Sequence, residues 1–239
     1  MTQSVDPRIS SQPPLRVIAR VLFGLLLIMA VLAVLLFVPA GRLDWPEAWV
    51  LLVTYSVFLL LYGIWGLIRD PAQLQERRKP GTNVKAWDRF LMSLYSVLLV
   101  ILFPVCALDA GRFRWSSPPP AIEALGWIGL ALAGAIIFWV MTTNTFASRM
   151  ARIQQDRGQT VVSTGPYRYV RHPMYLGNII LFAGIPVALG SLWGLIPGLL
   201  IALVFILRTA LEDRMLRREL TGYEEYAAHN RYRLFPGIW

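Results

Sequence analysis

The chain has 239 residues, of which 56% are hydrophobic and only 15% are charged, and its formal net charge is +9. This composition excludes an ordinary soluble domain and indicates a membrane protein. A basic balance in so apolar a chain is typical of cations on membrane-flanking loops, and no zinc-finger or RNA-recognition motif is present, so we expect no nucleic-acid partner. The single cysteine, Cys106, excludes an internal disulfide, and two distant histidines predict no protein-bound metal.

Successive apolar segments predict an all-α integral membrane protein with about six membrane-embedded helices. Residues 1–16 contain Ser, Gln and Pro and are expected to form a flexible tail. Four transmembrane helices are then predicted within residues 17–143, because each apolar segment is about as long as a bilayer core requires. These segments cover residues 17–38, 46–68, 90–108 and 122–143. The first is too long for a signal peptide, and further spans follow it.

The last two apolar segments are shorter and contain glycine and proline. They cover about residues 174–189 and 192–207 and meet at Gly190-Ser191, which predicts a short helical hairpin. Helices of this length cross a bilayer only by tilting or by thinning it locally. Residues 144–239 are therefore expected to form one core, with a long polar connection, the hairpin and a tail that begins as a cytoplasmic helix.

The distribution of cations predicts the orientation. With the N-terminus inside, every Lys and Arg except Arg42, Arg112 and Arg114 falls on an inner segment. The positive-inside rule then predicts a multi-pass protein with both termini cytoplasmic, in the plasma or inner membrane if the source is bacterial. The centres of the confident spans contain no acid, base or histidine, which argues against an ion-coupled transporter.

The most polar motif, residues 165–175, lies between two apolar segments and reads Gly-Pro-Tyr-Arg-Tyr-Val-Arg-His-Pro-Met-Tyr. Each proline biases the preceding residue away from the helical region, so Gly165 and His172 are expected to be extended. Pro173 suits the first position of the next helix. Free backbone N–H groups at that helix start would favour a carboxylate or phosphate.

A simpler interpretation of the same motif is a juxtamembrane turn. Arg168 and Arg171 would then meet lipid headgroups, and the tyrosines would form part of the interfacial aromatic belt. This alternative stays open when the motif is considered alone.

The C-terminal tail favours a binding site. Arg208 and Glu212 are four residues apart and share a helix face just where the last apolar segment ends. A tight hairpin brings the start of its first helix beside the end of its second. We therefore expect His172, Tyr175, Arg208 and Glu212 to converge on the cytoplasmic face as a candidate binding site.

These features together resemble the isoprenylcysteine carboxyl methyltransferase family, whose core is similar to that of the phospholipid N-methyltransferases. The resemblance covers roughly residues 144–239. It rests on residues 165–175, Arg208, Glu212-Asp213, Tyr223, Tyr226 and Arg233-Leu234-Phe235-Pro236. The Arg-His-Pro-x-Tyr string is moderately specific by itself and becomes strong with the hairpin and the acidic pair at the right distance.

The resemblance implies a membrane enzyme that transfers a methyl group from S-adenosyl-L-methionine to a lipophilic or small-molecule acceptor, with membrane lipid as its surroundings. It places Arg208 against the acceptor as the catalytic residue. The cofactor-contacting positions that it implies are Gln154, Gln159, Thr160, Val161, Val162, Tyr167, His172, Pro173, Met174, Tyr175 and Glu212. Two departures are Gln159, where the family often has His, and Asp213, where it often has Glu.

A carboxylate is the favoured acceptor. It needs no general base, and an arginine such as Arg208 can orient it with two hydrogen bonds. A thiol or amine acceptor would have to lose a proton, and the sequence offers no obvious base near Arg208. Nothing in residues 1–143 distinguishes a carboxylate from a thiol, an amine or an isoprenoid, so these acceptors stay open.

Two other functions are weighed against this one. An NADPH-dependent reductase of the sterol reductase type resembles the C-terminal core, but this chain is shorter and lacks the tail cysteine and Lys-Tyr-Gly run of those enzymes. A non-enzymatic scaffold or transporter would use the motif as a headgroup anchor, and Arg171 would then matter more than Glu212.

Overall fold

The structure is a computed structural model that describes residues 15–77 and 84–239. Residues 1–14 of the predicted tail lie outside the described residues, as do the cations Arg78 and Lys79. Residues 15 and 16, also assigned to the tail, belong to the first helix.

The described residues form helices and turns without a strand, so the predicted all-α membrane fold is confirmed. The helices are α1 (Leu15–Ala40), α2 (Pro46–Arg69), α3 (Pro71–Glu76), α4 (Ala86–Cys106), α5 (Pro120–Thr143), α6 (Pro173–Ala188), α7 (Leu195–Glu219) and α8 (Tyr223–His229). A π-helical turn, Ala107–Phe113, continues α4, and 3-10 turns occupy Gln155–Arg157 and Gly165–Arg168. Five of these segments are long and apolar enough to cross a membrane, whereas α6 has 16 residues.

The predicted hairpin is formed by α6 and α7. The apolar segment predicted over residues 192–207 and the helix expected at the start of the tail form one continuous helix, Leu195–Glu219. Helix α7 continues because Arg208, Thr209 and Asp213 are buried against neighbouring elements, so its polar half also has a packed face. The short helix α3 was not predicted, because six residues are too few for a recognisable helical period.

Small residues bring α5 and α6 into close contact. A Cβ atom added at Gly126 would lie 2.3 Å from the backbone nitrogen of Ala188, so only glycine fits there. On the next turns Ala133 is fully buried, and a Cβ at Gly177 would lie 2.8 Å from the side chain of Ile137. Helix α6 is therefore held firmly along α5.

A buried carboxylate fixes the turn between α6 and α7 at one end of the bundle. Asp109 accepts hydrogen bonds from the hydroxyls of Ser116 at 2.9 Å and Ser191 at 2.7 Å, and from the backbone N–H of Trp193 at 3.1 Å. Cys106 is fully buried one turn before it and packs as a small hydrophobe. The candidate site lies at the opposite end, where α4 and α6 begin and α7 carries its polar residues.

Candidate active site

The central motif, residues 165–175, begins at Gly165, whose backbone conformation would strain any other residue. Gly165 has φ +58°, so the expectation that it would be extended is wrong. Glycine lacks the Cβ atom on which the restriction before proline largely depends. A Cβ here would also lie 2.8 Å from Thr143 Oγ1. His172, with φ −126° and ψ 59°, is outside the helical region as expected, and Pro173 begins α6.

The motif is paired with the C-terminal tail. The backbone N–H groups of Arg171 and His172 donate to the carbonyls of Tyr232 and Arg233, both at 2.9 Å. The carbonyl of Tyr167 accepts from the Tyr226 hydroxyl and from the Asn230 side chain, each at 2.7 Å. The tail therefore forms part of the site's framework.

Asp213 is the centre of this framework. It is fully buried and accepts hydrogen bonds from Arg171 Nε at 2.8 Å, Arg233 Nε at 3.0 Å, the Tyr223 hydroxyl at 3.0 Å and Arg217 Nε at 3.2 Å. Arg171 also donates to the carbonyl of Asn230 at 2.6 Å and is 4% exposed. Because Arg171 is buried and paired, the headgroup-anchor interpretation does not fit it.

Phenol groups around the cluster keep their protons. Burial raises the pKa of Tyr167 and, together with the charge of Asp213, raises that of Tyr223. Burial also raises the pKa of Tyr226 to about 12. Tyr223 and Tyr226 therefore remain neutral hydrogen-bond donors at physiological pH.

A polar cavity opens beside this framework. Ten of the eleven predicted cofactor positions line it, namely Gln159, Thr160, Val161, Val162, Tyr167, His172, Pro173, Met174, Tyr175 and Glu212. Its walls are completed by the segment that follows α5 and by Leu216, Tyr223 and Tyr226. The fold thus brings the motif, the residues before it and α7 together around one space.

Gln154 is the exception, because it lies behind the wall of the cavity. It is 1% exposed, and its side chain donates to the carbonyl of Phe146 at 2.6 Å and accepts from Arg157 at 2.7 Å. Its backbone N–H donates to Gln159 Oε1 at 2.7 Å. Gln154 therefore braces the wall that Gln159 and Phe146 form.

The predicted convergence of His172, Tyr175, Arg208 and Glu212 is confirmed. The Tyr175 hydroxyl donates to Glu212 Oε2, and its ring stacks on His172 with centroids 5.7 Å apart. Among the described residues, Glu212 Oε1 makes no hydrogen bond. At the start of α6, Tyr175 and Leu176 already donate to the His172 carbonyl, which leaves the N–H of Met174 available.

Arg208 lies behind Tyr175 and does not line the polar cavity. It is 4% exposed, and its Nε and Nη2 donate to the two oxygens of Asp88 at 2.7 and 3.3 Å. Nη2 also donates to the carbonyl of Arg149 at 2.8 Å. The sequence analysis missed Asp88, since an acid in the first turn of an apolar helix, 120 residues from its partner, has no recognisable pairing pattern.

Arg152 is a second residue that the sequence analysis did not single out. It lines the polar cavity, forms a salt bridge with Glu76 of α3, and donates to Asp156 at 3.2 Å. Helix α3 thereby supports the cavity wall. No group of three or more His, Cys, Asp or Glu side chains that could hold a metal occurs within residues 15–77 and 84–239.

An apolar cavity lies among α1, α2, α4 and α6. It is lined almost entirely by aliphatic and phenylalanine side chains, with the hydroxyl-bearing residues Tyr55 and Tyr95 as exceptions. The Tyr95 ring lies 5.4 Å from Phe205, whose ring lies 5.6 Å from Tyr175. Phe205 and Tyr175 thus stand between the two cavities.

Comparison with known proteins agrees with this arrangement. The phospholipid methyltransferase family matches residues 121–221, which is less than half of the chain. The fold matches that of the eukaryotic intramembrane Ras methyltransferase ICMT, an isoprenylcysteine carboxyl methyltransferase, with a TM-score of 0.50. That alignment covers 95% of this chain and 86% of the ICMT chain at 15% identity. The predicted ICMT-like resemblance is confirmed. These findings support an integral, multi-pass membrane methyltransferase.

Two bacterial relatives are also similar in sequence. The cobalt-zinc-cadmium resistance protein CzcN of Cupriavidus metallidurans is 29% identical over 62% of this chain and 67% of its own length. The nickel-cobalt-cadmium resistance protein NccN of Alcaligenes xylosoxydans xylosoxydans is 25% identical over 54% of this chain and 58% of its own length. Neither name specifies a methyl acceptor.

Proposed function

We propose that this protein is an S-adenosyl-L-methionine-dependent methyltransferase that methylates the carboxylate of a lipophilic acceptor at the membrane–cytosol boundary. The observation that carries the proposal is the partition formed by Tyr175 and Phe205. A polar cavity lies on one side of it, an apolar cavity lies on the other, and Arg208 lies beside it.

The polar cavity fits the groups of S-adenosyl-L-methionine. Glu212 Oε1 can accept a hydrogen bond from the cofactor's amino or hydroxyl groups, and the Met174 N–H can donate to an acceptor oxygen at the helix start. Val161, Val162 and Leu216 offer apolar contact to a flat base. When bound, the cofactor supplies an activated methyl group.

The acceptor's reactive group is assigned to Arg208. Of the three guanidinium nitrogens of Arg208, Nε and Nη2 already donate to described residues and Nη1 does not. The Nη1 amino group therefore remains to donate to an acceptor carboxylate, and the two-bond fork expected from the sequence is occupied by Asp88. An acceptor carboxylate is already nucleophilic and needs no base. Holding it in place contributes most of what such a reaction requires, since good positioning can supply ~7–11 kcal/mol.

The apolar cavity is assigned to the acceptor's hydrocarbon part. Its lining is almost free of polar groups, and it lies among helices whose outer faces are exposed and apolar. A chain that leaves the bilayer would therefore enter it without losing apolar contact. With the orientation predicted by the cations, the polar cavity opens to the cytosol, where the cofactor is available.

Calorimetry on the purified protein tests the cofactor. We expect binding of S-adenosyl-L-methionine and none of NADPH, and we expect Glu212→Ala to abolish detectable binding. Glu225→Ala, an exposed carboxylate on α8, is the matched control and should bind normally. Binding of NADPH alone would favour the reductase, and unchanged binding by Glu212→Ala would refute the role of Glu212.

Incubation with methyl-labelled S-adenosyl-L-methionine and a lipid extract tests the acceptor. Label recovered as a base-labile methyl ester on a lipophilic product supports the proposal. Label on thiols or amines would support the methyltransferase activity and contradict a carboxylate acceptor.

A further inference from the structure

We propose that Asp88 is a positioning residue for methyl transfer, which acts by holding the Arg208 guanidinium in one orientation relative to the cofactor cavity. This inference rests on the proposed function. It gives α4 a role in the site, whereas the sequence predicted α4 only as a transmembrane helix.

Both carboxylate oxygens of Asp88 are used, and the residue is fully buried. Oδ1 accepts from Arg208 Nε at 2.7 Å, and Oδ2 accepts from Arg208 Nη2 at 3.3 Å. Oδ2 also accepts from the backbone N–H of Ala151 at 2.6 Å. Ala151 lines the polar cavity, so one carboxylate joins the acceptor-side cation to the wall of the cofactor site.

The pairing decides which part of the guanidinium remains for an acceptor. An arginine has five N–H donors in one plane. The Nε–H and one Nη2–H donate to Asp88. The second Nη2–H donates to the carbonyl of Arg149 at 2.8 Å. The two remaining donors are both on Nη1, so an acceptor can be bound at that one nitrogen only. The guanidinium carbon also lies 5.2 Å from the centre of the Tyr175 ring, which restricts approach to the group further.

A fork-to-fork pair of this kind fixes a plane as well as a distance. An asparagine at position 88 would retain one carbonyl oxygen, enough for Ala151 N–H, but could not accept from both Nε and Nη2 of Arg208. The guanidinium would then keep its charge and lose its fixed orientation. Acceptor binding should persist, and the fraction of bound acceptor in reactive geometry should fall.

Steady-state kinetics with a carboxylate acceptor tests this role. For Asp88→Asn we expect kcat to fall by about a hundredfold, as a misplacement near 1 Å produces. The acceptor KM should not rise, and the dissociation constant of S-adenosyl-L-methionine should change less than about threefold. Asp44→Asn, whose carboxylate is exposed beyond the other end of the bundle, is the matched control and should leave all three values unchanged.

Asp88→Glu keeps the charge but moves it by one methylene, so kcat should fall with little change in thermal stability.

A double-mutant comparison decides whether Asp88 acts through Arg208. Once Arg208→Lys has removed the fork, adding Asp88→Asn should lower kcat by less than a further threefold.

Three results would overturn the inference. The first is a wild-type kcat in both Asp88 variants, and the second is additive losses in the double mutant. The third is a loss of activity that parallels an equal loss of cofactor affinity and thermal stability.

If the wild-type protein itself transfers no methyl group, the proposed function fails and the role of Asp88 fails with it. If the wild type is active and any of the three results is found, only the role of Asp88 is wrong.

Discussion

The guanidinium carbon of Arg208 lies 5.2 Å from the centre of the Tyr175 ring. The hydroxyl of the same ring donates to Glu212, and the ring stacks on His172. Tyr175 therefore connects the cation assigned to the acceptor with the carboxylate assigned to the cofactor. A cation near an aromatic ring in a desolvated site gains ~2 kcal/mol, so this contact also contributes to holding Arg208 in place.

Tyr175→Phe separates the two functions of this side chain. The ring remains beside Arg208 and His172, but Glu212 loses its donor. A hydrogen bond to a charged group contributes ~1.5–3 kcal/mol, so we expect S-adenosyl-L-methionine to bind roughly tenfold to a hundredfold more weakly. Calorimetry measures the change. Tyr169→Phe, at a tyrosine that is 62% exposed, should bind normally, and equal affinities for both variants would contradict the role of the Tyr175 hydroxyl.

Asp213→Ala is expected to destabilise the site's framework. It removes a fully buried carboxylate and leaves Arg171 buried without its partner. Breaking a buried ion pair in this way costs about 3–5 kcal/mol. Thermal unfolding in detergent should show a clearly lower midpoint than in the wild type and in the Glu225→Ala control. An unchanged midpoint would mean that the cluster does not hold the motif and the tail together.

Leu99→Trp should narrow the apolar cavity, which Leu99 lines. We expect methylation of a long-chain carboxylate to fall well below that of a short-chain analogue, while cofactor affinity stays unchanged. Comparing kcat/KM for the two acceptors measures the effect. Leu60→Trp on the exposed face of α2 is the control for added bulk, and it should not alter the preference for chain length. An equal loss with both acceptors would show that the acceptor's chain does not occupy this cavity.

The sequence by itself determined the membrane class, the all-helical fold and the positions where the main helices begin. These features depend on the length of apolar segments and on local effects such as Pro173 at the start of α6. It also predicted that His172, Tyr175, Arg208 and Glu212 lie close together, because a short hairpin constrains the ends of its own two helices. The ten predicted positions around the polar cavity came from the resemblance of the motifs to the isoprenylcysteine carboxyl methyltransferase family.

Only the tertiary structure decided which charges are paired and where the second cavity lies. Asp88 meets Arg208 across 120 positions of the chain because α4 packs against α7, and no local pattern specifies that packing. Asp213 pairs with Arg171 and Arg233 from two distant segments for the same reason, whereas its pair with Arg217 is local, four residues along α7. Gln154 turned out to brace the wall, since the direction of a loop side chain depends on its neighbours. The apolar cavity arises from four helices that are distant in sequence, and its shape exists only once they are assembled.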